Sequence, residues 1–258
     1  MKNLFYLIIV VLFVSCANKI NDEGISQLSL YTSFEQFDGS GLNLYPFIPF
    51  SEKEWKEMSY AYKLEKRQIP EDFLRKMTAR ELFYQFVCCD LSKSMLLFNN
   101  LQQGIESSKQ LNMLPELLKR SEAGHVLLEI LKKADPVQIK DLDGHWWFDC
   151  LTLIAAQPEL INCMSDEDIK DYISELIRCQ NVIRNLSEID ENWIYPESTG
   201  TILFGFGNVM MRYEFDPFKQ LLESNLSFQS LMRYAIVSDK QIVTLMNDLI
   251  ADFKINKK

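Results

Sequence analysis

Histidine is nearly missing from this chain: there are two in 258 residues, at positions 125 and 145. Glycine (9) and proline (8) are scarce as well. So few breakers argue against a turn-rich β fold, and the many Leu, Ile, Glu and Lys residues favour helices. Positive charge is in deficit, with 27 basic against 36 acidic residues and a net charge of -9. Proteins that bind nucleic acid neutralise phosphates with Lys and Arg, so this balance excludes a nucleic-acid partner. Several signature loops are missing too: the sequence contains no Walker A loop, no HExxH, no GxSxG and no CxxC. The chemistry these motifs support is therefore not expected, and neither a cofactor nor a metal is implied.

What is present begins with a leader. Lys2 precedes an unbroken apolar run from Leu4 to Val14. Eleven residues are too few to span a bilayer as a helix, which takes about 17–25, but they suit the apolar region of a signal peptide. Phe13-Val14-Ser15-Cys16 closes the run. It resembles the bacterial lipobox, with Phe13 in place of the usual Leu. The resemblance implies a signal peptide over residues 1–15 and acylation of Cys16, with a diacylglyceryl thioether and an N-acyl chain such as palmitate. Several acyl chains hold a protein on a membrane where one does not. Ala17 follows Cys16 where an inner-membrane retention signal would place Asp. By the same resemblance the cell envelope, at the outer membrane, is the expected location. Asp22-Glu23 weakly resembles a surface-export signal, and whether the body faces the periplasm or the outside stays open.

Residues 16–30 are polar and without period, and read as a tether. Residues 31–50 differ, because Phe34, Phe37, Tyr45, Phe47 and Phe50 sit there among Gly, Ser and Pro. This composition suggests an extended segment that lies across the body and buries its aromatics. An exposed ligand-gripping arm is the alternative.

Residues 51–258 read as one all-α domain. Ser51-x-x-Glu54, Thr78-x-x-Glu81 and Ser238-x-x-Gln241 fit capping boxes, and Ser165-Asp166-Glu167-Asp168 is a close variant. Ile169, Tyr172, Ile173, Leu176, Ile177 and Ile183 form one helical stripe. Ile242, Leu245, Met246, Leu249, Ile250 and Phe253 form another. With four X-Pro breaks as punctuation, nine to eleven helices are expected. Thr78, Ser121 and Ser165 fall at a HEAT-like spacing, but the residues around them do not repeat. An irregular multi-helix array is therefore expected over a true solenoid.

Four stretches carry a resemblance: Gln68-Ile69-Pro70-Glu71, Met77-Thr78-Ala79-Arg80-Glu81-Leu82, Asn99-Asn100-Leu101-Gln102-Gln103-Gly104, and Leu117-Leu118-Lys119-Arg120 followed by a Leu-rich helix. Together they resemble a group of helical lipoproteins of Bacteroidota with no assigned activity. The resemblance spans roughly residues 30 to 215. It implies the compartment and the fold, and transfers no catalytic residue.

Candidate chemistry is thin. Beyond Cys16 there are Cys88, Cys89, Cys150, Cys163 and Cys179. An odd number cannot all pair. They read first as buried small hydrophobes, then as one disulfide, and last as a catalytic thiol. His125 reads as a packed or surface residue. His145 stands in Asp143-Gly144-His145-Trp146-Trp147-Phe148-Asp149-Cys150, where a histidine beside carboxylates, a thiol and two indoles could serve acid–base or nucleophilic work. The same stretch could be a helix start whose aromatics fill the core. Asp141-x-Asp143-Gly144 fails as a calcium loop at both its ends. Gly205-Phe206-Gly207 reads as a close contact between helices rather than a nucleotide loop.

These residues leave three functions open. The first is a lipid-anchored binding or scaffold protein with a protein or glycan partner. The second is a hydrolase or transferase centred on His145. The third is a glycan-binding module that stacks sugars on Trp146, Trp147, Trp193 or Tyr195. Adjacent helical positions lie about 100° apart, so one of Trp146 and Trp147 is expected in the core and the other at a boundary.

Overall fold

The computed structural model describes residues 41–136, 142–189 and 196–256. They hold fourteen α-helices, one 3-10 segment and no strand. The sequence anticipated fewer helices because one-turn pieces such as Glu71–Leu74 and Pro158–Cys163 are too short to show a period. The leader, Cys16 and the tether lie outside the described residues. Among the described residues no helix is long and apolar enough to cross a membrane.

The first part of the fold is a strap. Residues 42–50 run along the body without regular secondary structure, and Phe47 is buried. The Asn43 amide donates to Glu81 Oε1 at 2.8 Å and the Tyr45 amide to Gln85 Oε1 at 2.6 Å. Two short helices follow, α1 (Glu52–Glu57) and α2 (Tyr60–Lys66), and neither buries a residue. After α3 (Glu71–Leu74) comes α4 (Ala79–Val87), which is almost wholly buried. A 3-10 segment (Ser92–Leu97), α5 (Leu101–Ser108), α6 (Met113–Lys119) and α7 (Ala123–Lys133) complete the first layer, with α4 packed on α6 and α7.

The second layer is built on α8 (Leu142–Ala155) and α11 (Pro196–Arg212), which run against each other. Between them in sequence lie α9 (Pro158–Cys163) and the long α10 (Asp166–Ile189). After them come α12 (Asp216–Ser224), α13 (Leu226–Tyr234) and α14 (Lys240–Asn256). All of these touch α11, and α5 of the first layer meets the bundle through α8 and α13. One continuous apolar core joins the layers.

The capping signals at Ser51, Thr78 and Ser165 hold. Ser51 with Glu54 and Thr78 with Glu81 form reciprocal boxes, and Ser165 Oγ exchanges bonds with Asp168 in the same way. The Ser238 box does not form. Helix α14 starts one residue later, and Asp239 Oδ1 accepts from the Gln241 amide at 2.9 Å. An ionised acceptor beside the helix dipole is a strong cap and displaces the serine. Ser121 likewise opens no helix, since α7 starts after Glu122 with no side-chain cap. Both periodic stripes face the core: Ile169, Tyr172, Leu176, Ile242 and Met246 are each at most 1% exposed.

Helix C-termini leave carbonyls without partners, and here arginines from elsewhere in the chain cover them. Arg178 Nη2 donates to Leu131 O and Ala134 O at the end of α7. Arg212 Nη1 donates to Ile161 O at the end of α9. Arg120 Nη2 reaches Leu74 O and Arg75 O after α3. Gln68 and Asn112 lock two loops together: Asn112 takes the Ile69 amide and donates to Ile69 O, while Gln68 takes the Asn112 amide and donates to Gln110 O.

Candidate functional site

The densest set of polar groups in the core lies where α8 meets α11. On α8, Asp149 and Thr152 point at Ser198 and Thr201 of α11. Ser198 Oγ donates to Asp149 Oδ1 at 2.5 Å, and the Thr152 and Thr201 hydroxyls hydrogen-bond each other across 2.7 Å, either one able to donate. All four side chains are buried: Asp149 is 7% exposed, Ser198 2%, and both threonines 0%. Small hydroxyl residues let the two helices approach closely, and their mutual bonds satisfy groups that would otherwise be orphaned. Further along α11, Asn208 Nδ2 donates to Ala156 O at 3.0 Å, beyond the last turn of α8.

Gly205 and Gly207 are the close contacts expected of them. A Cβ on Gly205 would stand 2.7 Å from Tyr172 Oη, and one on Gly207 would stand 2.3 Å from Met232 Sδ. Tyr172 is fully buried, and its hydroxyl has no hydrogen-bond partner. Burial drives its pKa well above the usual phenol range, so the group stays neutral.

The sequence-derived site residues scatter. His145 lies in the first turn of α8, four residues before Asp149; its side chain lies outside the described part of the structure. Trp193 and Tyr195 fall in the undescribed stretch 190–195. Trp146 is 4% and Trp147 8% exposed, so both indoles are inside and the expected boundary tryptophan is not at the surface. The reason is the setting of α8, which has α5, α7 and α11 packed around it. Two positions 100° apart then both find cover. The Trp146 Nε1 donor is buried without a partner.

Three of the thiols are closed off as well. None of the five cysteines among the described residues is in a disulfide. Burial, with the neighbouring Asp149 charge, pushes the Cys150 thiol well above its usual range. Burial pushes Cys89 and Cys179 to about 12. Thiols held neutral in this way are poor nucleophiles. Cys163 is exposed. His125 sits on the surface, where its Nδ1 meets Asp168 Oδ1 at 2.7 Å and ties α7 to α10. Burial raises the Asp168 carboxyl, but the bonds from His125 and Ser165 outweigh it and hold the pKa below the usual value. Among the described residues no cluster of three His, Cys, Asp or Glu side chains is arranged to hold a metal.

One feature escaped the reading of the sequence. Arg67, 6% exposed, is enclosed by Phe47, Phe50 and Trp55, whose ring centroids lie 5.2, 5.5 and 4.5 Å from its guanidinium. It pairs with Asp90 through two bonds of 2.8 Å and donates to Ile48 O at 3.2 Å. Outside this box the chain turns large hydrophobic side chains to solvent: Ile48 is 66% exposed, Tyr60 48% and Tyr62 43%. A signal existed in the sequence, since Tyr60 and Tyr62 stand on a helix too short to bury them. Compared with protein-family models, curated proteins and solved structures, the chain matches none.

Proposed function

We propose that this chain is a lipid-anchored, extracytoplasmic helical scaffold, of the kind its resemblance to Bacteroidota lipoproteins implies, which binds a protein or glycan through its surface. The location rests on Lys2, the Leu4–Val14 run and Ser15-Cys16. The scaffold reading rests chiefly on one observation: Asp149, Ser198, Thr152 and Cys150, groups able to do chemistry, are committed to packing inside the core. A glycan-stacking role for Trp146 and Trp147 loses support from their burial, because a sugar needs an open aromatic face. Growth with a labelled fatty acid tests the anchor. The label should enter the wild-type chain and not Cys16→Ala, and a wild-type chain without label removes the lipid anchor from this reading.

A second reading keeps an enzyme in view, because a specific juxtaposition favours it: Ser198 is bonded to Asp149, and His145 stands four residues before Asp149 in the same helix. Serine, histidine and carboxylate are the residue types of acyl transfer, although here the serine bonds the acid directly. Screening the purified chain against ester and glycoside substrates decides between the two. An activity that Ser198→Ala and His145→Ala both abolish, with folding preserved, replaces the scaffold by a hydrolase.

A further inference from the structure

The hairpin of α12 and α13 is held to the body by apolar contact alone. Among the described residues, the hydrogen bonds and ion pairs of residues 216–234 stay within the hairpin and the turns that adjoin it. Lys219 meets Asp216, Asn225 caps α13, and Gln229 reaches Glu223 O. Its neighbours are tied differently. Helix α14 is bonded to α10 through Gln180 Nε2 and Asn247 Oδ1 at 3.2 Å, and α3, α7 and α9 each have a distant arginine on their last carbonyls.

One face of α13 does the holding. Phe228, Leu231 and Ala235 are fully buried and Met232 is half-buried, which places the contacts at offsets 0, 3, 4 and 7 of a helix. Helix α12 adds Phe218, whose ring meets that of Phe228 edge-on at 6.0 Å between centroids. The seat is made by α11 and α5, the two helices that flank α8. On α11, Gly200 and Gly207 stand two turns apart on the side that receives α13. A Cβ on Gly207 would lie 2.3 Å from Met232 Sδ, and one on Gly200 would lie 2.2 Å from Ala235 O. The seat therefore accepts a long flexible side chain at offset 4, and at offset 7 the two backbones come too close for anything but a small residue.

Both ends of the hairpin are strained. Glu214 (φ 51) and Ala235 (φ 54) are the only non-glycine residues with positive φ among the described residues, and they bracket residues 216–234. Many helices end on a left-handed residue, but glycine normally supplies it, because a Cβ makes that conformation costly. The strain is relieved when the segment between the two hinges leaves. A segment with strained hinges and no polar tie is the part of the body that opens at least cost.

We infer that α13 is the built-in occupant of a helix-binding seat on α11 and α5, and that a protein partner fills this seat with an amphipathic helix bearing large apolar side chains at offsets 0, 3 and 4 and a small residue at offset 7. Anchors at this spacing are how a helix docks in an apolar groove. The inference deepens the proposed scaffold function and rests on it. The partner helix replaces α13, the turns at Glu214 and Ala235 relax, and Phe215, whose ring meets that of Phe253 at 5.2 Å, leaves with the hairpin. Helix α14 stays on α10 through Asn247. Apparent affinity is set by the fraction of molecules in which the hairpin is open.

The test uses the full chain and a fluorescent peptide of residues 225–236 of this sequence, read by anisotropy, with hydrogen exchange on the same protein. Amides of α13 should exchange faster than those in the middle of α8 and α11, and the peptide should bind. A peptide carrying Phe228→Ser and Leu231→Ser should not bind. Glu214 is exposed, so Glu214→Gly removes strain without touching the core. It should slow α13 exchange and weaken peptide binding by the same factor, about fivefold or more. Glu214→Gln keeps the strain and should match the wild type in both. Exchange of α13 only together with α8 and α11, or no binding by the wild type, overturns the seat and leaves the scaffold reading standing, since that reading fails on substrate turnover instead. Binding that ignores the serine changes or Glu214→Gly places the peptide on another surface and also overturns the inference. Wild-type dimers that the peptide dissolves give the seat to a second copy and overturn the assignment to a protein partner.

Discussion

The Ser198 hydroxyl of α11 donates to the Asp149 carboxylate of α8 across the interface of the two main helices, and both side chains are buried. A buried carboxylate is costly to hold without its donors. Ser198→Ala removes one donor and leaves the acceptor in place. The expected loss is about 1–3 kcal/mol, read as a shift of the urea midpoint with an unchanged slope. An unchanged midpoint would mean that Asp149 does not depend on Ser198.

Both indoles of α8 should matter to stability. Trp146→Ala and Trp147→Ala each truncate a large buried side chain and should each cost about 3–5 kcal/mol. A near-neutral result for Trp147→Ala would restore it to the boundary, as the sequence suggested. The comparison shows where sequence reading stops. Caps at Ser51, Thr78 and Ser165 and the stripes at Ile169 and Ile242 were legible because they are local: a bond over three residues or a period within one helix. Burial of Trp147 depends on three other helices, and the pairing of Ser198 with Asp149 joins residues 49 apart. No local pattern encodes either. The Arg67 box was missed for the same reason, since its parts come from the strap, α1, and the turn after α4.

Gly205 and Tyr172 offer a coupled test. Gly205→Ala places a methyl 2.7 Å from the Tyr172 hydroxyl, with Leu176 Cδ1 at 3.1 Å. Overpacking of this kind costs about 1–3 kcal/mol. Tyr172→Phe deletes a buried hydroxyl that has no partner and should be neutral or stabilising. The double variant should lose less than Gly205→Ala alone. Additive losses in the cycle would show that the new methyl meets something other than the phenol.

Acid should loosen the caps before the core. Burial raises the Glu81 carboxyl, but the Thr78 and Asn43 amides and the Thr78 hydroxyl outweigh it, and its pKa lies below the usual value. Burial raises the Asp168 carboxyl too, but the bonds from His125 and Ser165 together outweigh it and leave its pKa below the usual value. A group depressed in the folded state stabilises above its unfolded pKa, and that contribution disappears as pH falls through the folded value. Stability should therefore decline on acidification below the ordinary carboxylate range of about pH 4. Glu81→Gln keeps an acceptor for the cap without the charge, so its decline should be shallower than that of the wild type. Parallel curves for the two proteins would remove Glu81 from the acid response. Thr78→Ala, measured at neutral pH, should cost about 0.5–2 kcal/mol through the lost cap.

Arg67 should govern whether the strap stays closed. Its planar guanidinium does three things at once: it pairs with both Asp90 oxygens, bonds Ile48 O in the strap, and lies 4.5 Å from the centroid of Trp55. Lysine keeps the charge but has neither the fork nor the flat face. Arg67→Lys should therefore free the strap while the helices persist. The effect is local because the strap's own backbone donors, Asn43 N and Tyr45 N, bond side chains of α4 rather than a helix. Loss of a charge-assisted bond is worth about 1.5–3 kcal/mol, or roughly tenfold or more in a local opening equilibrium. Hydrogen exchange at the Asn43 and Tyr45 amides should accelerate by that factor, with amides in the middle of α8 and α11 unchanged. Acceleration throughout the chain would place Arg67 in the global core instead, and no acceleration at Asn43 or Tyr45 would show that the strap is held by Phe47 and Tyr45 packing alone.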